Sequence, residues 1–324
     1  MKPFAYTRAH TVWDAVAAVS AEPGARYLAG GTEMVNLVRE GQESPDRLVD
    51  IGDLPLTEVR VHGRGVRIGA LAKRVHEHPE VRRRLPVLAE AGLSAASPQV
   101  RNVATPGGNL LQRTRCHYFR DVRFPCNRRE PGTGCAALRG VNRNNAIFGG
   151  SEHCVAVHPS DIAVALTALD AVVHTHGPAG ERVIPVEELY RLPGDEPNRE
   201  TVLDHGELIV AIDVPPTPFA ARSHYLKLRD RASFAFALVS VAVALDVRAG
   251  VTHDVRIALG GVAPRPWRAR AAEDALRGRR FDDDARAAAG EAATTGAKPL
   301  PHNEFKVELV RRAVVRALSE VEGR

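Results

Sequence analysis

Residues 25–41 read ARYLAGGTEMVNLVREG. Arg26, Tyr27, Leu28 and Ala29 have strand character and run into the glycine pair Gly30–Gly31. Thr32 then stands where a helix N-cap is expected, and Met34, Leu37 and Val38 keep helical spacing through residues 33–39. A strand that passes through two glycines into a helix presents bare N–H groups and a helix N-terminus to anions, a place suited to a diphosphate. A plain strand-to-helix turn uses glycine too, for its positive φ, and on this loop alone that plainer reading leads.

Working outward, residues 4–6 read as a strand, 11–20 as an amphipathic helix and 47–51 as a third strand, so residues 1–54 form a small β-α-β-α-β lobe. A second lobe, 55–218, opens with Val59, Val61, Val66 and Ile68 alternating around Gly63 and Gly65, a hairpin pattern. A basic helix over 73–91 follows, then the glycine-rich loop TPGGN at 105–109, a cysteine-bearing stretch, a helix over 160–168 and a strand over 171–175. Pro215, Pro216 and Pro218 mark a boundary. In 219–324, segments 223–228, 237–248 and 255–259 read as strands of one sheet, and 268–277, 282–293 and 305–318 as helices packed on it. The fold class expected is α+β.

The second glycine pair, Gly107–Gly108, lies between Thr105 and Asn109, whose side chains suit phosphate or ribose, so two loops are available to grip one dinucleotide from both sides. The string 63–69 comes closest to a G-x-G-x-x-G fingerprint, but its spacing is one residue too long and it falls in the hairpin pattern, so a Rossmann nicotinamide site is not supported.

With 324 residues, 44% of them apolar, the chain suffices for a sizeable core. It has no apolar run of about eighteen residues, and its opening MKPFAYTRAHTVWDAVAAV is too polar for an export signal; no membrane span and a cytoplasmic location are the default expectations. The formal charge of +5 comes mainly from scattered arginine, with clusters at 82–84, 113–129 and 277–280. Aromatics make up only 5%, which gives little support to a stacking platform for nucleic acid; a basic surface for an anionic cofactor or partner subunit is at least as well supported.

All four cysteines, Cys116, Cys126, Cys135 and Cys154, fall in one 39-residue window rich in Arg, Gly, Pro and Asn. Their spacings match no secreted disulfide scaffold, and structural zinc usually pairs its thiolates in C-x2-C knuckles, absent here. An iron–sulfur cluster asks only that four sulfurs converge, which loops of this length allow. On spacing alone, disulfide, zinc and cluster all remain open.

Taken together, ARYLAGGTEMVNLVREG, VRNVATPGGNLLQRTRC at 100–116, HPSD at 158–161 and YLKLRDRASFAFALVSVAVAL at 225–245 resemble the FAD-binding subunit of the xanthine dehydrogenase family of molybdenum hydroxylases, over essentially the whole chain. The cysteines, in the order QRTRC, PCN, GC and C, resemble the variant found in bacterial heterotrimeric aldehyde oxidoreductases of periplasmic type. The resemblance implies a two-lobed FAD-binding domain of the PCMH (vanillyl-alcohol-oxidase-like) type over 1–218, with a 4Fe–4S loop inserted at 112–156, and a C-terminal domain of the CO dehydrogenase flavoprotein type over 219–324.

What the resemblance implies about residues is specific. Arg26, Tyr27, Leu28, Ala29, Gly30, Gly31, Thr32 and Glu33 wrap the FAD diphosphate and ribose, and Thr105, Gly108 and Asn109 form the second phosphate loop. Asp161 binds near the ribityl or ribose group, Leu111 and Ile209 contact the isoalloxazine, and Lys227 is the cation at its pyrimidine edge, where a fixed charge stabilises the reduced flavin. Read without the resemblance, Asp161 is equally a helix N-cap acid and Lys227 a solvated strand residue. Cys116, Cys126, Cys135 and Cys154 hold a 4Fe–4S cluster. Pro106 stands where most relatives have Ile, and Ala95 where some have an aromatic.

The implied role is electron transfer, with no catalytic residue of its own. A large subunit carries the molybdenum cofactor, a small subunit carries two 2Fe–2S clusters, and FAD passes electrons to an external acceptor, in a heterotrimer with room to dimerise. Export of the assembled trimer on a partner's twin-arginine signal would place it in the periplasm. The rival readings are the flavin subunit of a 4-hydroxybenzoyl-CoA reductase-like enzyme, in which electrons flow the other way, and a zinc-stabilised nucleic-acid-binding protein.

Overall fold

The computed structural model describes residues 2–63 and 65–323; of the glycine string at 63–69, Arg64 lies outside the described residues. Three sheets follow one another. In the first, strands Ala5–Arg8 and Ala25–Leu28 run parallel to Arg47–Asp50, which lies between them. Thr11 starts the helix Val12–Ser20 by accepting the Asp14 N–H at 3.0 Å, and Ala15, Val16 and Val19 are buried with Ala25 and Val49. The β-α-β-α-β lobe is present as the sequence suggests.

The second sheet is antiparallel in the order Val59–His62, Gly65–Gly69, Leu208–Val214, Val172–Gly177, Gly180–Pro185. Its central strand, LIVAIDV, is apolar but for Asp213 and largely buried on both faces, so period-two alternation does not reveal it. The third sheet orders Trp267–Arg268, Val251–Gly260, Val239–Arg248 and Ser223–Leu228, again antiparallel.

Strand alternation gives this last sheet two apolar faces. Val241, Val243 and Leu245 pack with Val310, Val314 and Leu318 of the helix Phe305–Glu322. Tyr225, Ala242 and Ala258 join instead the core shared with the helix Asp161–Ala168. That helix approaches closely: a Cβ on Gly260 would lie 2.6 Å from Val164. The third sheet is thereby pressed against the elements that carry TPGGN and HPSD.

Three local expectations are corrected. The basic helix over 73–91 is broken into a 3-10 turn at Val75–Glu77 and helices Pro79–Arg84 and Pro86–Ser94. Pro79 and Pro86 each open a new helix, because proline cannot donate the N–H that continues the preceding one. Thr32 is not the cap of its helix, which spans Met34–Arg39 with Glu33 at the cap position and no side-chain cap bond. TPGGN is not a plain loop: Thr105 accepts the Gly108 N–H and caps a short helix, Pro106–Leu110. Residues 112–156 are largely irregular, and among the described residues no helix is long and apolar enough to cross a membrane.

Candidate functional site

The two glycine loops touch. A Cβ on Gly30 would collide with the Val103 carbonyl, so only glycine lets the first loop pass the segment leading into TPGGN. Gly31 adopts φ +72°, the left-handed turn that redirects the chain into its helix. Among the described residues, the N–H groups of Gly30, Gly31, Thr32 and Glu33 find no acceptor within the chain. Four successive residues with unsatisfied donors form a concavity for an anion.

They line a cleft of about 1250 Å³, above the roughly 300–1,000 Å³ of drug-sized ligand sites and so suited to a large cofactor. Arg26, Tyr27 and Ala29 share its wall with Gly30, Gly31, Thr32 and Glu33. Thr105, Gly108, Asn109 and Leu111 face them, and Asp161, Ile209 and Lys227 complete it. Leu28 alone of the residues expected at the nucleotide is not in the lining.

Asp161 is not the helix cap. Ser160 takes that place, its Oγ accepting the Ala163 N–H at 3.0 Å while donating to Asn109 Oδ1 at 2.5 Å, which joins HPSD to the second glycine loop. Asp161 instead accepts from Lys227 Nζ at 2.7 Å and from the Tyr225 hydroxyl at 2.6 Å. Lys227 is not solvated either, with its side chain 4% exposed. Its ammonium also donates to the Ser94 carbonyl at 3.1 Å, leaving one of its three protons for a ligand atom. Burial beside a carboxylate raises the Tyr225 phenol well above its usual pKa and keeps it a donor.

His158, unassigned by the sequence, also lines the cleft. Burial pushes its pKa down to about 4, so the ring is neutral at pH 7. Nε2 lies 3.3 Å from the Leu110 carbonyl and Nδ1 accepts the Ser160 N–H at 3.4 Å, which assigns the proton to Nε2.

Glu33 lines the cleft, but its carboxylate is occupied by the Arg113 N–H at 3.0 Å and by the side chains of Arg115 and Arg120. It fastens the first glycine loop to QRTRC. No local pattern marks this contact, because its partners lie some eighty residues further along the chain.

The four cysteines are free thiols gathered in one region. Cys126 and Cys135 face each other across a backbone bridge, and Cys116 packs on Cys126 beside Leu37 and Phe119. Cys154 is close enough to Cys116 and Cys135 to act on them electrostatically, and burial raises the pKa of both of those thiols. Among the described residues, no group of three or more His, Cys, Asp or Glu is arranged to hold a metal ion. One tetrahedral ion needs its sulfurs about 2.3 Å from a single point; a four-iron cube binds each thiolate at a different corner and calls for wider separation.

Donors surround these sulfurs. Asn145 Nδ2 lies 3.6 Å from Cys116 Sγ, the Ala156 N–H 3.5 Å from Cys154 Sγ, and Arg128 is near enough to Cys154 to interact with it electrostatically. Arg128 Nε and Arg115 Nε are buried without a hydrogen-bond partner. An unmet buried donor costs about 1–3 kcal/mol, so buried arginine beside a thiol nest suits an anionic, sulfur-bearing group. Cys116 also lines the large cleft, so nest and cleft adjoin.

Cleft, free backbone donors and bracing cation together define a subunit built around a large anionic cofactor. Residues 2–217 match the family described as FAD binding domain in molybdopterin dehydrogenase, and residues 223–321 match the CO dehydrogenase flavoprotein C-terminal domain. The chain is 45% identical to the aldehyde oxidoreductase FAD-binding subunit PaoB of Escherichia coli K12, covering 99% of this chain and 98% of that one. It is 27% identical to the carbon monoxide dehydrogenase medium chain of Hydrogenophaga pseudoflava, covering 98% and 96%. The fold superposes on CO dehydrogenase from Oligotropha carboxidovorans with a TM-score of 0.78 at 25% identity, over 100% of this chain and 99% of the other. The chain therefore belongs to the FAD-binding subunits of the molybdenum hydroxylases, the oxidoreductase family that includes aldehyde oxidoreductase, xanthine dehydrogenase and CO dehydrogenase.

Proposed function

We propose that this chain is the electron-transfer subunit of a molybdenum-dependent aldehyde oxidoreductase, holding FAD in the cleft and a 4Fe–4S cluster on Cys116, Cys126, Cys135 and Cys154. One observation carries the reading: the thiol nest shares Cys116 with the wall of a cleft whose glycine loop offers unpaired N–H groups. The name of the relative at 45% identity favours aldehyde oxidation over reduction of an acyl-CoA.

Bound in this cleft, FAD would supply the redox chemistry that links iron–sulfur centres to an external acceptor. The chain's own residues bind and orient it. The N–H groups of Gly30–Glu33 receive the diphosphate, Thr105 and Asn109 close the second side, and Leu111 and Ile209 give apolar surface to the ring system. Lys227, aligned by Asp161, supplies positive charge where reduction adds negative charge. Arg128, Arg115 and Asn145 provide donors around the cluster sulfurs.

The partners in this reading are a large subunit with the molybdenum cofactor and a small subunit with two 2Fe–2S clusters, in a heterotrimer. The location is the cytoplasm, or the periplasm if a partner carries a twin-arginine signal. Serine substitution of Cys126 or Cys154 tests the ligand set. The expected result is loss of iron and acid-labile sulfide with FAD retained; unchanged iron in both variants would overturn it.

A further inference from the structure

Arg128 belongs to a run of basic residues that reads as solvated surface, yet its side chain is 5% exposed. Its neighbour Asn127 locks the backbone there. Asn127 Oδ1 accepts the Gly132 and Gly134 N–H groups at 3.1 and 2.7 Å, and Nδ2 donates to the His153 carbonyl at 3.1 Å, beside Cys154. The guanidinium so placed meets Glu200 with Nη1 2.6 Å from Oε2, lies near enough to Cys154 for the two to interact electrostatically, and keeps Nε buried and unpartnered. Glu200 is in turn paired with Arg113, whose Nη1 lies 2.7 Å from Glu43, and Arg113 and Glu43 both line the cleft. A continuous line of alternating charge runs from Cys154 to the cofactor wall.

We propose that Arg128 is a positioning residue that holds the Cys154 corner of the cluster and raises the cluster's reduction potential, with Glu200 as the counter-charge that moderates it. The inference rests on the reading of the four cysteines as cluster ligands. Reduction of such a centre adds one electron and one negative charge, with no bond made or broken. A buried cation beside a ligating sulfur therefore stabilises the reduced form more than the oxidised one. Hydrogen bonds to the sulfurs act in the same direction. A buried guanidinium needs a partner to persist, and Glu200 meets that need while cancelling part of the field.

The test uses the full chain with its partner subunits and the variants Arg128→Met, Arg128→Lys and Glu200→Gln. Iron and acid-labile sulfide are measured first, then the cluster is titrated by EPR under defined potential. Arg128→Met is expected to shift the oxidised-to-reduced ratio at the wild-type midpoint at least tenfold toward oxidised, about 59 mV downward for one electron. Arg128→Lys should recover most of that shift, and Glu200→Gln should move the midpoint upward. If Arg128→Met loses its iron while Arg128→Lys keeps it, the positioning role is supported, and the lysine and glutamine variants then report the potential. A full iron complement with an unmoved midpoint in Arg128→Met, or an unmoved midpoint in Glu200→Gln, overturns the inference. Iron missing from the wild type overturns the cluster reading itself, a result that the variants cannot mimic.

Discussion

Lys227 Nζ stands 2.7 Å from Asp161 Oδ2 with both side chains almost sealed from solvent. The pair ties the edge strand of the C-terminal sheet to the helix that follows HPSD, and so holds one wall of the cleft. Its worth lies in the bonds that support it: Tyr225 also donates to the carboxylate and Ser94 accepts from the ammonium, which keeps one proton for a ligand. Lys227→Met leaves a buried carboxylate without its cation and is expected to cost about 3–5 kcal/mol. Replacing both partners, as Lys227→Met with Asp161→Leu, should cost less than the sum of the single changes. Urea unfolding of the four proteins measures this, and FAD content should fall in each variant.

The glycines of the first loop differ in why they are needed. Gly30→Ala drives a methyl into the Val103 carbonyl, and backbone cannot move aside as a side chain can. Gly31→Ala meets mainly φ strain, of order 1–3 kcal/mol. Purified Gly30→Ala should therefore retain much less FAD than Gly31→Ala, measured as the flavin-to-protein absorbance ratio.

His158 makes stability depend on pH. Its folded pKa of about 4 lies below the 6.5 of the unfolded chain, so between these values the unfolded state binds more protons. Its contribution is fully present above pH 6.5 and is lost as pH falls toward 4, in all about 3 kcal/mol. The unfolding free energy of His158→Gln should accordingly fall less steeply than that of the wild type between pH 6.5 and 4.

Ser160 caps a helix and tethers Asn109 at once. Ser160→Ala should cost about 1 kcal/mol of stability for the cap. It should also weaken FAD binding by freeing Asn109, a second effect that Thr at the same position should largely spare. Fluorescence titration of the FAD-depleted protein reads the affinity.

What the sequence made legible was local. ARYLAGGTEMVNLVREG showed its strand, turn and helix, and the alternating 223–260 region showed its strands, because in each the period or the glycines carry the signal. The strand Leu208–Val214 stayed hidden because burial on both faces erases alternation, and the helix over 73–91 was merged because apolar spacing continues across Pro79 and Pro86. Of the residues that the resemblance places at the nucleotide, all but Leu28 line the cleft. The pairings of Glu33 with Arg115 and Arg120, and of Arg128 with Glu200, join residues roughly seventy to ninety positions apart, where charge runs in sequence look alike whether solvated or buried.

The central expectation is that two cofactors share one chain. Anaerobic purification followed by an absorption spectrum, FAD extraction and iron and acid-labile sulfide analysis tests this directly. One FAD and about four irons with four sulfides per chain are predicted, with flavin bands over a broad sulfide-to-iron shoulder. FAD without iron would contradict the account at the cysteines, and a colourless, zinc-containing protein would contradict it altogether.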